Sequence, residues 1–217
     1  LDPQNALRFH LANDPHQCVE GLAEVAAGQL TWTQAMRPGH GGTVVLPFGT
    51  VDDERQIELE QQLARHPDWL GDTLARFALP EDTLVVLDTP GLNAIGAEPE
   101  LTVNLIPQAQ AVVFILGADT GVTKSDLSIW REHLAPLQDG AGARFVVLNK
   151  IDTLWDELST PAQIQAQIAR QCDDTAQTLA LAPEQVLALS AQKGLLAKVR
   201  GDAGLLAESR LPPFEQL

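Results

Sequence analysis

Arg144-Phe145-Val146-Val147-Leu148-Asn149-Lys150-Ile151-Asp152 carries a short apolar run straight into a polar loop. A run of this length without alternation reads as a strand buried on both faces, which is the habit of parallel sheets, and such sheets bind ligands at the carboxyl ends of their strands. Asn149 to Asp152 stand at such an end. Outward from this stretch, Asp88-Thr89-Pro90-Gly91 follows the apolar run Leu84–Leu87, and Ser190-Ala191-Gln192-Lys193 follows Val186–Leu189. Ala111–Leu116 is a further run of the same kind, placed between the first polar loop and Arg144.

Between these runs the periodicity turns helical. Segments near Pro99–Ile106, from about Ser125 to Leu137, near Pro161–Leu181 and from about Gly194 to Ala207 read as helices. From Thr83 onward, strand and helix therefore alternate, which argues for an α/β fold with a mostly parallel sheet and helices on both faces. The N-terminal third reads differently. Leu7–Ala12 alternates weakly, Pro15–Leu30 has helical spacing, Thr43–Phe48 reads as a strand and Asp52–His66 as a charged helix. Residues 1–82 are thus expected to form an N-terminal segment or insertion, 83–211 the core. Residues 212–217 open with Pro212-Pro213, which ends the last helix and reads as a hinge.

Composition narrows the function classes. With 217 residues, 45% of them hydrophobic, the chain is long enough for one ordinary domain. A formal net charge of −15, from 29 acidic and 14 basic residues, opposes unspecific binding to nucleic acid or anionic lipid. No nucleic-acid partner is expected, and a membrane only through segments outside this sequence. Cys18 and Cys172 are isolated, so a reducing compartment such as the cytoplasm is the simpler reading. No apolar stretch approaches the ~20 residues of a membrane span. Leu1 in place of Met points to sequence upstream.

The three polar strings resemble the third, fourth and fifth signature motifs of guanine-nucleotide-binding P-loop proteins. On that resemblance, Asp88 would hold Mg²⁺ through a water, and Gly91 would bring its backbone N–H to a γ-phosphate oxygen. By itself Asp-x-Pro-Gly is also a common tight turn. Asp152 would accept from both N1–H and the exocyclic N2–H of guanine, a pair that adenine does not offer. Asn149 would brace the loop and the base edge, and the Lys150 stem would lie along one face of the ring. Ser190-Ala191 would offer the Ala191 N–H to guanine O6. The expected ligands are GTP and GDP with Mg²⁺.

Leu87–Asn93, Ala118–Asp126 and Val147–Asp152 with Leu154-Trp155 together resemble one branch of these proteins, the bacterial dynamin-like GTPases. The resemblance continues through Ser190–Gly194. It implies a P-loop NTPase-like three-layer sandwich, with a helical stalk after residue 217. It also implies GTP hydrolysis driving membrane-associated remodelling, self-association through the GTPase domain, and a place in the cytoplasm at the inner membrane. One part of the pattern is absent: no Gly-x-x-x-x-Gly-Lys-Ser/Thr occurs in the sequence, so the first strand and its phosphate loop are missing. The chain is expected to be a piece of a GTPase, inactive alone.

Gly117-Ala118-Asp119-Thr120-Gly121-Val122-Thr123-Lys124-Ser125 imitates that loop but has Thr123 where the glycine before lysine belongs. Thr123 to Asp126 has the spacing of a helix start instead. His133 and the other histidines show no metal-ligand spacing, and Trp32, Trp69, Trp130 and Trp155 read as core or interface residues. A reading from another class is a degenerate GTPase that acts as a noncatalytic interaction module.

Overall fold

The computed structural model describes residues 20–39, 43–47, 49, 58, 61, 65, 66, 68, 69, 72, 84–86, 103, 106–136, 143–156 and 159–216. Leu7–Ala12, Asp88 and Gly91 lie outside the described residues. The chain forms two compact units, Leu1–Gln108 and Ala109–Leu217.

In the first unit, α1 (Leu22–Ala26) and α2 (Trp32–Ala35) precede a minimal antiparallel ladder of β1 (Arg37–Pro38) with β2 (Val44–Val45). The helix expected over Pro15–Leu30 is therefore five residues in the described part, and the strand expected over Thr43–Phe48 is two. Pro38 explains the brevity of the ladder, since it brings no N–H to the partner strand. Leu22 donates its N–H to the Pro47 carbonyl at 2.9 Å, and the rings of Trp32 and Trp69 lie 5.7 Å apart.

Of the strand expected over Thr83–Leu87, residues 84–86 are described, and they are not in a strand. Leu84, Val85 and Val86 carry no regular structure, and Leu84 and Val86 are 84% and 73% exposed. An apolar run becomes a strand only when a neighbour takes up its backbone N–H and C=O groups, and among the described residues Leu84, Val85 and Val86 pair with no strand.

The second unit is α/β. Strands β3 (Ala111–Gly117), β4 (Ala143–Asn149) and β5 (Val186–Ala188) form a parallel sheet in the order β3-β4-β5. The central strand shows why its sequence is apolar without alternation: Val146, Val147 and Leu148 are all buried, so both of its faces are covered. Strand β3 alternates instead and leaves Val113 and Ile115 exposed.

Two crossovers connect the strands. The first is α3 (Lys124–Ile129), which runs into a π-helical turn, Trp130–Leu134. Thr123 caps α3 by accepting from Asp126 N at 3.2 Å while Asp126 Oδ2 accepts from Thr123 N at 3.0 Å, so the Lys124-Ser125 pair starts a helix and cradles no phosphate. Buried Trp130 then packs against Phe114 and donates Nε1–H to the Leu179 carbonyl at 3.1 Å. The Arg144 guanidinium lies 5.6 Å from the Trp130 ring centroid and donates to the Leu134 carbonyl at 3.1 Å.

The second crossover is α4 (Pro161–Leu179), started by the Thr160/Gln163 capping box with Pro161 in its first turn. Its inner face is Ile164, Ile168, Cys172, Thr175, Ala176 and Leu179. Beyond β5 the expected single helix is two, α5 (Ala191–Arg200) and α6 (Ala203–Glu208), followed by the short α7 (Leu211–Phe214). Gly201, at φ 69°, ends α5 in the left-handed conformation and Asp202 starts α6 by accepting from Leu205 N at 3.0 Å. No helix among the described residues is long and apolar enough to cross a membrane.

Candidate functional site

The carboxyl end of the parallel sheet gathers the polar loops. Strand β4 ends at Asn149, and the chain turns at Lys150, whose φ of 66° and ψ of 34° are left-handed for a residue with a Cβ. Such a conformation costs about 1–2 kcal/mol and persists where neighbours hold it. Two do so here. Asn149 Oδ1 accepts from Lys150 N at 2.8 Å, and the Lys150 carbonyl accepts from Thr153 N at 3.0 Å and Thr153 Oγ1 at 2.8 Å. The turn then closes as a 3₁₀ helix, Ile151–Leu154, with Ile151 fully buried beneath it.

Asn149 also reaches across the sheet. Its Oδ1 accepts from Ala191 N at 3.0 Å, joining residues 42 positions apart. The neighbouring backbone is stitched in the same direction: Ile151 N donates to the Leu189 carbonyl at 3.3 Å, Leu189 N to the Leu148 carbonyl at 2.9 Å, and Ala118 N to the Asn149 carbonyl at 2.8 Å. The Asn149–Asp152 loop, the Ser190-Ala191 loop and the start of the loop after β3 therefore form one rim.

Ser190 is fully buried and works as the N-cap of α5, its Oγ accepting from Lys193 N at 3.1 Å. Its own N–H donates to the Ser209 carbonyl at 2.8 Å. Sequence reading missed Ser209, because a backbone carbonyl carries no residue-type signal. Ala191 is exposed, and its N–H is already donated to Asn149, so a base oxygen arriving there would share that donor.

Asp152 holds the chemical peculiarity of the rim. Its Oδ1 is buried and has no hydrogen-bond partner among the described residues. A buried acceptor left without a donor costs about 1–3 kcal/mol, so its place is explained if a donor arrives from outside. Lys150 is exposed beside it. Among the described residues, no group of three or more His, Cys, Asp or Glu side chains could hold a metal ion. His133 lies 3.9 Å from the Glu132 carboxylate.

Taken together, the fold and rim define an α/β protein with a parallel sheet and a polar, acceptor-bearing rim at its carboxyl end. No known protein family matches the chain, and no curated protein matches it. Among solved structures the chain is similar to Aquifex aeolicus Era bound to GDP.AlF4-, at 22% identity over 57% of this chain and 40% of that one, with a TM-score of 0.40. It is also similar to Era in complex with MgGDPNP and nucleotides 1506-1542 of 16S ribosomal RNA, at 21% identity over 55% of this chain and 37% of that one, with a TM-score of 0.35. The chain thus spans well under two thirds of the length of either.

Proposed function

We propose that this chain is the base-recognising part of a guanine-nucleotide-binding domain, and that the complete protein is a dynamin-like GTPase that hydrolyses GTP to GDP. The observation that carries the reading is the buried Asp152 Oδ1, unpartnered among the described residues. It lies two residues past Lys150, in a loop that Asn149 ties to Ala191.

Guanine answers this arrangement chemically. Its N1–H and N2–H both donate, so an ionised carboxylate, which only accepts, satisfies both and is satisfied by them. Adenine offers a lone pair at N1 and leaves the carboxylate unmatched. Lys150 lays its aliphatic stem against the ring, and the Ala191 N–H, shared with Asn149 Oδ1, serves the oxygen at position six. Asp88 and Gly91 take the metal-side and γ-phosphate-side roles that the sequence motif assigns them. Mg²⁺ supplies charge neutralisation for the phosphates when bound. Membrane-associated remodelling and self-association belong to the complete protein, as does peripheral attachment to the inner membrane from the cytoplasm.

Asp152→Asn tests the reading. The amide can donate to the oxygen that xanthine carries at position two but cannot accept as the carboxylate does from guanine N2. Each mispaired buried group costs about 1–3 kcal/mol, or roughly a factor of five to 150 in relative affinity. Competition between GDP and XDP for the full chain should therefore move from GDP toward XDP. An unchanged preference for GDP in the variant overturns the proposal.

A further inference from the structure

We infer that the C-terminal turn at Ser209, packed through Gly194 and Leu211, is a positioning device for the Ala191 N–H, so that α6 and α7 govern how firmly the rim holds a purine oxygen. The inference rests on the base-recognition reading above.

The Ser190-Ala191 peptide is gripped from two sides. On one, Asn149 Oδ1 at the end of β4 takes the Ala191 N–H. On the other, the Ser209 carbonyl takes the Ser190 N–H at 2.8 Å. Both serines are fully buried. Ser209 Oγ donates to the Leu206 carbonyl at 2.6 Å and accepts from Leu211 N at 3.3 Å, so the side chain closes the turn and leaves the Ser209 carbonyl aimed at Ser190.

Packing reinforces the grip one turn into α5. A Cβ on Gly194 would lie 2.7 Å from Leu211 Cδ2, 2.9 Å from Leu211 Cβ and 3.2 Å from Ser209 Oγ. Glycine is therefore required by close approach: α5 and the start of α7 touch with no room for a methyl group. Gly194 N in turn donates to the Ser190 carbonyl at 2.9 Å, so the contact is coupled directly to the residue that precedes Ala191. Two outer ties hold the same segment: Lys198 with Glu215, and Arg210 with Gln165 on α4. A displacement of α6 and α7 would thus be felt at the Ser190-Ala191 peptide.

The test is a variant set in the full chain, read by GDP affinity and by hydrogen exchange of the Ala191 amide. Gly194→Ala should weaken GDP about tenfold, the scale of one lost hydrogen bond, and accelerate exchange at Ala191. Adding Leu211→Gly removes both the Cδ2 and the Cβ that the new methyl group would meet, and the double variant should return both readings to within about twofold of the unaltered chain. A general loss of stability would be deepened, not repaired, by removing an apolar side chain. If Gly194→Ala does not fold, Ser209→Ala decides, with an expected loss of about threefold in GDP affinity and faster exchange at Ala191. Unchanged binding and exchange in the variant that folds, or a Gly194→Ala loss that Leu211→Gly leaves in place, overturns the inference. Asp152→Asn separates the two readings. No switch toward XDP overturns base recognition and this inference with it, whereas a switch without a Gly194→Ala response overturns this inference alone.

Discussion

Asn149 uses a single oxygen to hold two loops, accepting from Lys150 N and Ala191 N at 2.8 and 3.0 Å. Alanine at this position removes both bonds at once, and each is worth about 1 kcal/mol net. Asn149→Ala should therefore lower stability by about 1–2 kcal/mol in urea melts and release the left-handed Lys150 turn. Binding of GDP should fall further than stability does; a variant with full stability and full GDP binding contradicts the assigned role. Cys172 gives a second prediction from burial alone. Desolvation pushes its thiol above the ordinary 9.0, Arg210 pulls it back, and Asp173 raises it. A folded-state value above the unfolded one means that the thiol's contribution to stability is whole below about 9.0 and is lost as pH rises above it. At pH 8 iodoacetamide should accordingly modify Cys172 more slowly in the folded chain than in urea, and equal rates would contradict the burial argument. The pairing of Asn149 with Ala191 could be anticipated from sequence, because both residues follow apolar runs that end at the same edge of a parallel sheet. The Ser209 carbonyl could not, since any residue type supplies one.

Elements whose sequences carry several agreeing signals formed where those signals lie. For α4, Thr160, Pro161 and Gln163 mark the start and the inner face repeats with helical spacing, and the helix runs over Pro161–Leu179. Strand β4 was legible because its apolar run matches burial on both faces. Two elements were misread for physical reasons. The helix expected from Gly194 to Ala207 is broken at Gly201-Asp202, a C-cap glycine followed by an N-cap aspartate, a signal the sequence does contain. Leu84–Val86 has the apolar, β-branched composition of a strand, yet composition supplies no pairing partner. At this scale the tie between α3 and α4 is the sharpest to test. Trp130→Phe keeps a ring beside Phe114 and Arg144 but leaves the Leu179 carbonyl without its donor at the end of α4. The cost should be about 1–3 kcal/mol in chemical denaturation. A loss below a few tenths would mean that the Nε1–H bond contributes nothing beyond the ring.

At the scale of the whole molecule, the proposed base-side chemistry stands in a sequence without a phosphate-loop motif. The acceptor on Asp152 and the Asn149 tie are in the described structure. By contrast, none of the 217 residues forms a Gly-x-x-x-x-Gly-Lys-Ser/Thr loop, and the one imitation of it starts helix α3. Phosphoryl transfer to water depends on positioning and on charges that stabilise the equatorial oxygens, and the lysine and inward-pointing amides of that loop supply much of both. With a formal net charge of −15, the chain offers no general electropositive field in their place. On the proposed reading, discrimination between bases and acceleration of hydrolysis should therefore separate: the chain should select GDP over XDP and should not turn GTP over. Phosphate release from purified 1–217 with GTP and Mg²⁺ should match that of an Asp88→Ala control. Release clearly above the control would show that this chain contains a phosphate-stabilising group that its sequence motifs do not reveal, and the division between base recognition and catalysis drawn here would fail.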